Sequence, residues 1–325
     1  MPTSLQNPAP LPVAVVSDAA CRDHRTGSGH PERPERYDAV LAGLNDPRLA
    51  GRLLHLSPRH AEDADVLLCH TPAYVNLVKA AVAADLPQLP TGDTPLSGRS
   101  LDVAREAVGC VLTAVDAVLD GPTRNAFCVV RPPGHHAGPS KGEGFCVFNN
   151  IAIGARHAQR RHGVERVLIV DFDVHHGNGT QDVFYADDSV LFFSTHQSPL
   201  WPYTGAADER GEGRGVGHTI NCPLPADSGG DAAVRAFTEH LLPAAERFRP
   251  QLVMISAGFD ARAGDPLGGL RWTDDDFATL TRLCLRIAAD HAGGRVVSVL
   301  EGGYNLAGLT AATAAHVAAL CELES

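Results

Sequence analysis

The sequence has no apolar run of about 18 residues and so offers no membrane-crossing helix. Its eight cysteines, at 21, 69, 110, 128, 146, 222, 284 and 321, include no Cys-x-x-Cys pair, which argues against a thiolate zinc site. Most sit in apolar segments and read as buried free thiols, as in a cytoplasmic protein. Positive charge is also scarce. With 27 Lys and Arg against 38 Asp and Glu, the net charge of −11 has the wrong sign for gripping nucleic-acid phosphates. The first residues lack the basic and apolar stretches of a leader. Residues 1–12 carry Pro2, Pro8, Pro10 and Pro12 and read as a loose arm. No low-complexity linker or internal repeat divides the remainder, so 13–325 reads as one domain.

What the chain does have is histidine, sixteen of them in 325 residues, and a core-forming 44% of hydrophobic residues. Five short apolar runs suit buried parallel strands: Phe127–Val130, Val167–Val170, Val190–Phe193, Leu252–Ile255 and Val296–Leu300. Helical patterns lie between them. Leu101 to Leu119 repeats apolar residues at helical spacing before Gly121. Asn150 to His162 ends at Gly163, and Ala232 to Phe248 is a third helix. Thr273 caps a fourth, with Asp276 as its box partner and Gly293-Gly294 as its stop. The alternation predicts an α/β domain on a mostly parallel sheet, to which the first ~120 residues add helices and loops.

Ligands of such sheets bind beyond the carboxyl ends of the strands. Those ends carry Gly134-His135-His136, Asp171 to Gly179, Ser194-Thr195-His196, Gly258-Phe259-Asp260 and Gly302-Gly303-Tyr304. In an extended segment Asp171, Asp173 and His175 share one face. Two carboxylates there are costly to bury unless a cation relieves them. The same segment also reads as two helix-capping aspartates and a core histidine. With Asp260, Asp173 and His175 make three ligands and leave positions open, the stoichiometry of a catalytic zinc site. Taken alone, His135 and His136 read as partly exposed loop residues; beside a metal, acid–base work is their better use. Tyr304 could supply an O–H to a developing oxyanion, or simply pack on a glycine turn.

Together these strings resemble the zinc-dependent histone deacetylase family, of the arginase/deacetylase fold. The matches are Arg131–Ala137 (RPPGHHA), Gly144–Asn150 (GFCVFNN), Asp171–Thr180 (DFDVHHGNGT), Ser256–Ala261 (SAGFDA) and Glu301–Asn305 (EGGYN). His30–Arg36 (HPERPER) resembles the family's first active-site loop. The resemblance implies a three-layer α/β/α domain with a central, mostly parallel eight-stranded sheet. It implies Zn2+ on Asp173, His175 and Asp260, His136 as general base, and His135 as its partner, oriented by Asp171. It makes Tyr304 the oxyanion donor. Gly144, Phe145, Trp201 and Leu267 would line the acyl-lysine tunnel, with Asp93 at its rim. A structural K+ would sit on Asp171, Asp173, His175, Ser194 and Thr195, and an outer one near Phe184, Asp187 and Val190.

Three departures bear on function. Asn178 stands where class I members carry Asp, which makes the chain class II-like and implies a less basic His136. Trp201 is bulkier than the usual tunnel aromatic and is expected to narrow the mouth. Leu267 lies near the point where the family's polyamine deacetylases place a Glu, which favours acyl-lysine or another uncharged-stem amide. The implied activity is deacetylation of acetyl-lysine or a small acylated amine, releasing acetate. The alternatives are an acetylpolyamine amidohydrolase or a non-catalytic acyl-lysine binder. A two-manganese ureohydrolase fits less well, because the order is Asp171-x-Asp173-x-His175 and no second Asp-x-Asp pair stands at a later strand end. The expected partners are acetylated proteins, peptides or small amines, and a second copy of the chain as a homo-oligomer, with neither nucleic acid nor membrane.

Overall fold

The computed structural model describes residues 11–322, so most of the N-terminal arm read from the sequence lies outside the described residues. Eight strands form the sheet: β1 (Val13–Ser17), β2 (Leu53–Leu56), β3 (Asn125–Val129), β4 (Val167–Asp171), β5 (Val190–Gln197), β6 (Thr219–Leu224), β7 (Leu252–Ala257) and β8 (Val296–Leu300). Their order is β2-β1-β3-β8-β7-β4-β5-β6, and every pairing is parallel. The helices are α1 (Glu35–Leu44), α2 (Asp63–Val66), α3 (Pro72–Ala83), α4 (Ser100–Leu119), α5 (Asn150–His162), α6 (Asn178–Phe184), α7 (Gly230–Ala236), α8 (Leu242–Phe248), α9 (Asp274–His291) and α10 (Leu306–Leu320).

The sheet is covered on both faces, which is why β3, β4, β7 and β8 are buried at every position and read as continuous apolar runs. Neighbouring residues of β3 show the two layers. Phe127 packs on His316 of α10, while Cys128 donates to Cys110 O of α4. All eight cysteines are free thiols, six of them buried. Thr273 and Asp276 form the capping box that starts α9. No helix among the described residues is long and apolar enough to cross a membrane.

The first 120 residues contribute more than helices and loops, because β1 and β2 form one end of the sheet. Short length and partial exposure hide β2, and Pro223 disguises β6; both are edge strands, where proline is tolerated. The predicted helix over Ala232 to Phe248 is interrupted by a π-helical turn at Phe237–Leu241. Pro243, just beyond that turn, removes a backbone donor that a regular helix would use. Finally, β5 runs past Phe193 to Gln197, so Ser194, Thr195 and His196 are buried strand residues.

Candidate active site

The carboxyl ends of β4, β7 and β8 build the floor of the site. Asp173 N donates to Asp171 Oδ1 (3.1 Å), His175 N to Asp173 Oδ1 (2.9 Å) and Val174 N to Asp260 Oδ1 (2.9 Å). These bonds curl the chain after β4 so that one ligand atom each from Asp173, His175 and Asp260 lies within 4.8 Å of the others. His175 Nδ1 is 3.1 Å from Asp173 Oδ1 and 3.2 Å from Asp260 Oδ2. Asp260 Oδ2 is buried yet makes no hydrogen bond. Burial favours a neutral His175, but Asp173 and Asp260 outweigh it and push the imidazole up to about 10. Burial and then Asp173 raise Asp260 to about 7. A divalent cation at the centre would replace that proton and partner the orphaned oxygen, so the donor set fits a metal. Gly302 permits the close approach, since a Cβ there would collide with Asp260 Oδ2 and Asp173 Oδ2.

The loop after β3 brings in the histidine pair. Gly134 N and His135 N both donate to Glu301 Oε2, at 2.7 and 3.1 Å. That anchor buries His135 and His136, with ring centroids 3.9 Å apart, so they are not exposed loop residues. His135 Nδ1 lies 2.9 Å from Asp171 Oδ2, and His136 Nδ1 lies 2.8 Å from Asn178 Oδ1. Burial opposes charge on His135, but Asp171, Asp173 and Glu301 outweigh it and raise the ring to about 10. His136 is held well below 6.5, first by burial and then by His135 and His175. The neutral Asn178 is therefore not the main cause of its low basicity; its hydrogen bond acts in the opposite direction. Asn178 Nδ2 in turn donates to Glu143 Oε1 (2.7 Å), which also meets Lys141 Nζ at 2.7 Å.

Above the floor lies a pocket of about 240 Å³. His136, His175 and Tyr304 form its base, and Phe145, Trp201, Leu267 and Leu200 supply apolar walls. Gly144 and Asp93 complete the lining, with Asp93 Oδ1 accepting from Gly144 N at 2.7 Å. Phe145 meets Tyr304 edge-on with centroids 6.1 Å apart. Trp201 packs on His136 at 4.6 Å and faces His175 at 6.2 Å, so it walls the depth of the pocket. A larger cleft of about 830 Å³ follows edge strand β6 and contains none of these residues.

Several supporting residues have no individual role in the sequence, although Glu32, Arg36 and Arg131 fall within the matched strings His30–Arg36 and Arg131–Ala137. Glu32 is buried between Arg131 and Arg36, and Arg36 donates to Gly303 O (2.6 Å) and Glu301 O (2.5 Å). The Arg36 guanidinium also lies 4.9 Å from the centre of the Tyr304 ring. Asp265 Oδ2 accepts from Tyr304 N at 2.7 Å and from Asn305 N at 3.0 Å, fixing that turn. The i, i+4 spacing of Glu32 and Arg36 was the available signal, but their shared partner across the fold was not. Leu200 and Glu143 carried no signal of their own.

Of the residues proposed for K+, Asp171 pairs in register with Ser194, and Thr195 Oγ1 is buried without a partner. Ser194 Oγ bonds His196 Nδ1 at 2.9 Å. In the outer set, the Asp187 carboxylate is already engaged by Arg156 (2.6 Å) and Ser189, while Phe184 and Val190 are buried. His176 bonds Thr204 and Gln181, and His196 bonds Gly205 O, so both have structural partners.

Comparison with known proteins gives a consistent picture. The family profile described as Histone deacetylase domain matches residues 30–320. The chain is 44% identical over 280 residues to the histone deacetylase-like amidohydrolase of Pseudomonas aeruginosa, covering 86% of this chain and 73% of that protein. It is 45% identical over 293 residues to the human polyamine deacetylase HDAC10, covering 86% of this chain but 43% of that longer protein. The crystal structure of the HDA15 HD domain superposes with a TM-score of 0.87 at 37% identity, covering 94% of this chain and 90% of that one.

Proposed function

Because the chain belongs to the histone deacetylase family and is thus a hydrolase of amide bonds, we propose that it removes acetyl groups from acetyl-lysine or a related uncharged-stem acylated amine. One observation carries this reading: Asp173, His175 and Asp260 converge beside two buried histidines and Tyr304 at the base of an apolar pocket.

Asp173, His175 and Asp260 would hold Zn2+. When bound, the ion supplies Lewis-acid polarisation of the acyl carbonyl and lowers the pKa of a water toward ~7. His136 engages Asn178 through Nδ1, which leaves Nε2 to take a proton from the attacking water. Its low basicity keeps it uncharged and ready to accept. His135, paired with Asp171, carries the positive charge and delivers a proton to the departing amine. The Tyr304 hydroxyl donates to the carbonyl oxygen as that atom gains charge. Phe145 and Trp201 hold the acyl-bearing stem, Gly144 leaves it room, Leu267 keeps the far wall uncharged, and Asp93 meets the substrate backbone at the rim. Glu143 acts as a positioning residue: by accepting from Asn178 Nδ2 it turns Asn178 Oδ1 toward His136. A K+ on Asp171, Asp173, His175, Ser194 and Thr195 would steady the floor. A cytoplasmic setting, with acetylated proteins or small acylated amines as partners, completes the proposal.

The name of the human relative raises a second reading, an acetylpolyamine amidohydrolase. A side-by-side kcat/KM panel of acetyl-lysine peptides, longer acyl-lysines and acetylpolyamines, with and without a hydroxamate chelator, separates the alternatives. The proposal expects acetyl-lysine turnover that the hydroxamate abolishes. Higher kcat/KM on acetylpolyamines would replace it with the second reading. Bound zinc and tight hydroxamate binding without any turnover would identify a non-catalytic reader.

A further inference from the structure

A second constellation of metal-type ligands lies at the opposite edge of the sheet. Asp116 and Asp120 stand one turn apart at the end of α4, and His157 and His162 lie in the last turns of α5. These helices lead into β3 and β4, so their ends sit by the amino ends of the strands, away from the catalytic pocket. His157 Nε2 and His162 Nε2 both lie 2.7 Å from one oxygen, Asp116 Oδ1. The other nitrogen of His162 is 3.1 Å from Asp120 Oδ2. Both imidazoles are largely buried, with side chains 11% and 5% exposed, and their rings meet at 79° with centroids 5.6 Å apart.

Hydrogen bonding alone would have one carboxylate oxygen accept from two imidazole N–H groups, with Asp120 Oδ2 close to the other nitrogen of His162. Two nitrogens and a carboxylate oxygen converging from two helices is equally the donor set of a transition-metal site. The metal arrangement needs only neutral imidazoles and a modest spreading of donors that are already close. A cleft of about 270 Å³, lined by Leu119, Asp120, His162, His291 and Arg295, opens beside His162, and the Asp116 side chain is 41% exposed, so water reaches the donors from that side.

We propose that Asp116, His157 and His162 form a second divalent-metal site, with water completing the shell and Asp120 beside the outer nitrogen of His162, and that Zn2+ bound there staples α4 to α5. It is independent of the catalytic reading, because it shares no residue with that centre. The test uses the tag-free full chain with its tight metal in place. Zinc titration followed by metal analysis is expected to find a second equivalent that a mild chelator removes, and a Tm raised by roughly 2–4 °C with that equivalent bound. His157→Ala/His162→Ala should lose both effects and keep the tight metal. Asp116→Asn, which preserves volume, guards against a folding failure of the double variant. Cobalt substitution adds a visible spectrum for the second equivalent that disappears in both variants. A wild-type chain that takes up only the tight metal, or variants that bind the second equivalent unchanged, would overturn the proposal.

Discussion

Asn178 and Glu143 offer a sharp electrostatic test. Replacing Asn178 with Asp would give His136 the carboxylate partner expected of class I members. Here, however, the amide nitrogen lies 2.7 Å from Glu143 Oε1, and the exchange would set two carboxylate oxygens at that separation. At an effective dielectric near 20, two unit charges so placed repel by ~6 kcal/mol. Glu143 is 18% exposed and can lean toward Lys141, which relieves most of this and leaves a cost of about 1–3 kcal/mol. Asn178→Asp alone should therefore lower kcat/KM about tenfold or more and reduce Tm. Asn178→Asp/Glu143→Gln removes the repulsion and restores a donor, so it should recover most of both losses, with a coupling energy of about 1–3 kcal/mol. In the double variant the new carboxylate raises the pKa of His136. The base then stays protonated to higher pH, and the acidic limb of the kcat/KM profile moves upward. The measurements are kcat/KM against pH and thermal melts for the four members of the cycle. A single variant as active and as stable as the double would show that Glu143 does not repel a carboxylate at position 178.

The remaining predictions concern the floor, the wall and the buried network. Tyr304→Phe should lower kcat by about 10²–10³-fold while metal analysis finds normal zinc; full activity would remove the donor role. Gly302→Ala would put a methyl 2.5 Å from Asp173 Oδ2 and closer still to Asp260 Oδ2, so zinc content should fall sharply in a chain that still melts cooperatively. Leu267→Glu places a carboxylate in the pocket wall and should shift the kcat/KM ratio toward acetylpolyamines; an unchanged ratio would dissociate position 267 from substrate choice. Burial holds His24 and His70 at about 4, below their ordinary 6.5, so the native state binds fewer protons than the unfolded chain between those values. Their contribution to stability is complete above pH 6.5 and is lost as pH falls toward 4. Burial opposes the charge on Glu32, but Arg131 and Arg36 outweigh it and hold the carboxyl at about 2, adding stability above pH 4.5 that is lost as pH falls through 2. Urea midpoints that stay flat from pH 6.5 to 4 would contradict the histidine part.

Much of this protein could be read from its sequence, for identifiable reasons. A strand buried on both faces must be apolar throughout, so β3, β4, β7 and β8 announced themselves, and the polar residues just beyond them marked the site rim. Asp173 and His175 could be singled out because they follow a strand end two residues apart, but the extended alternation expected of them is not what the chain does: it bends over 173–175, and backbone bonds to Asp171, Asp173 and Asp260 bring the ligands together. The caps of α5 and α9 were equally local. What depended on packing was not legible. Edge strands β2 and β6 relax the apolar rule, and only their neighbours make them strands. The burial of His135 and His136 depends on Glu301, 166 residues away from His135 in the chain. Glu143 could be given a place only once α6 had brought Asn178 against it. The convergence of Asp116 with His157 and His162 likewise required α4 and α5 to meet. Local order was enough for the strands buried on both faces, the rim on which chemistry sits and the kinds of ligand present. Which charges face each other was settled by packing, because that depends on distance across the fold and on the exclusion of water, and neither is a property of local order.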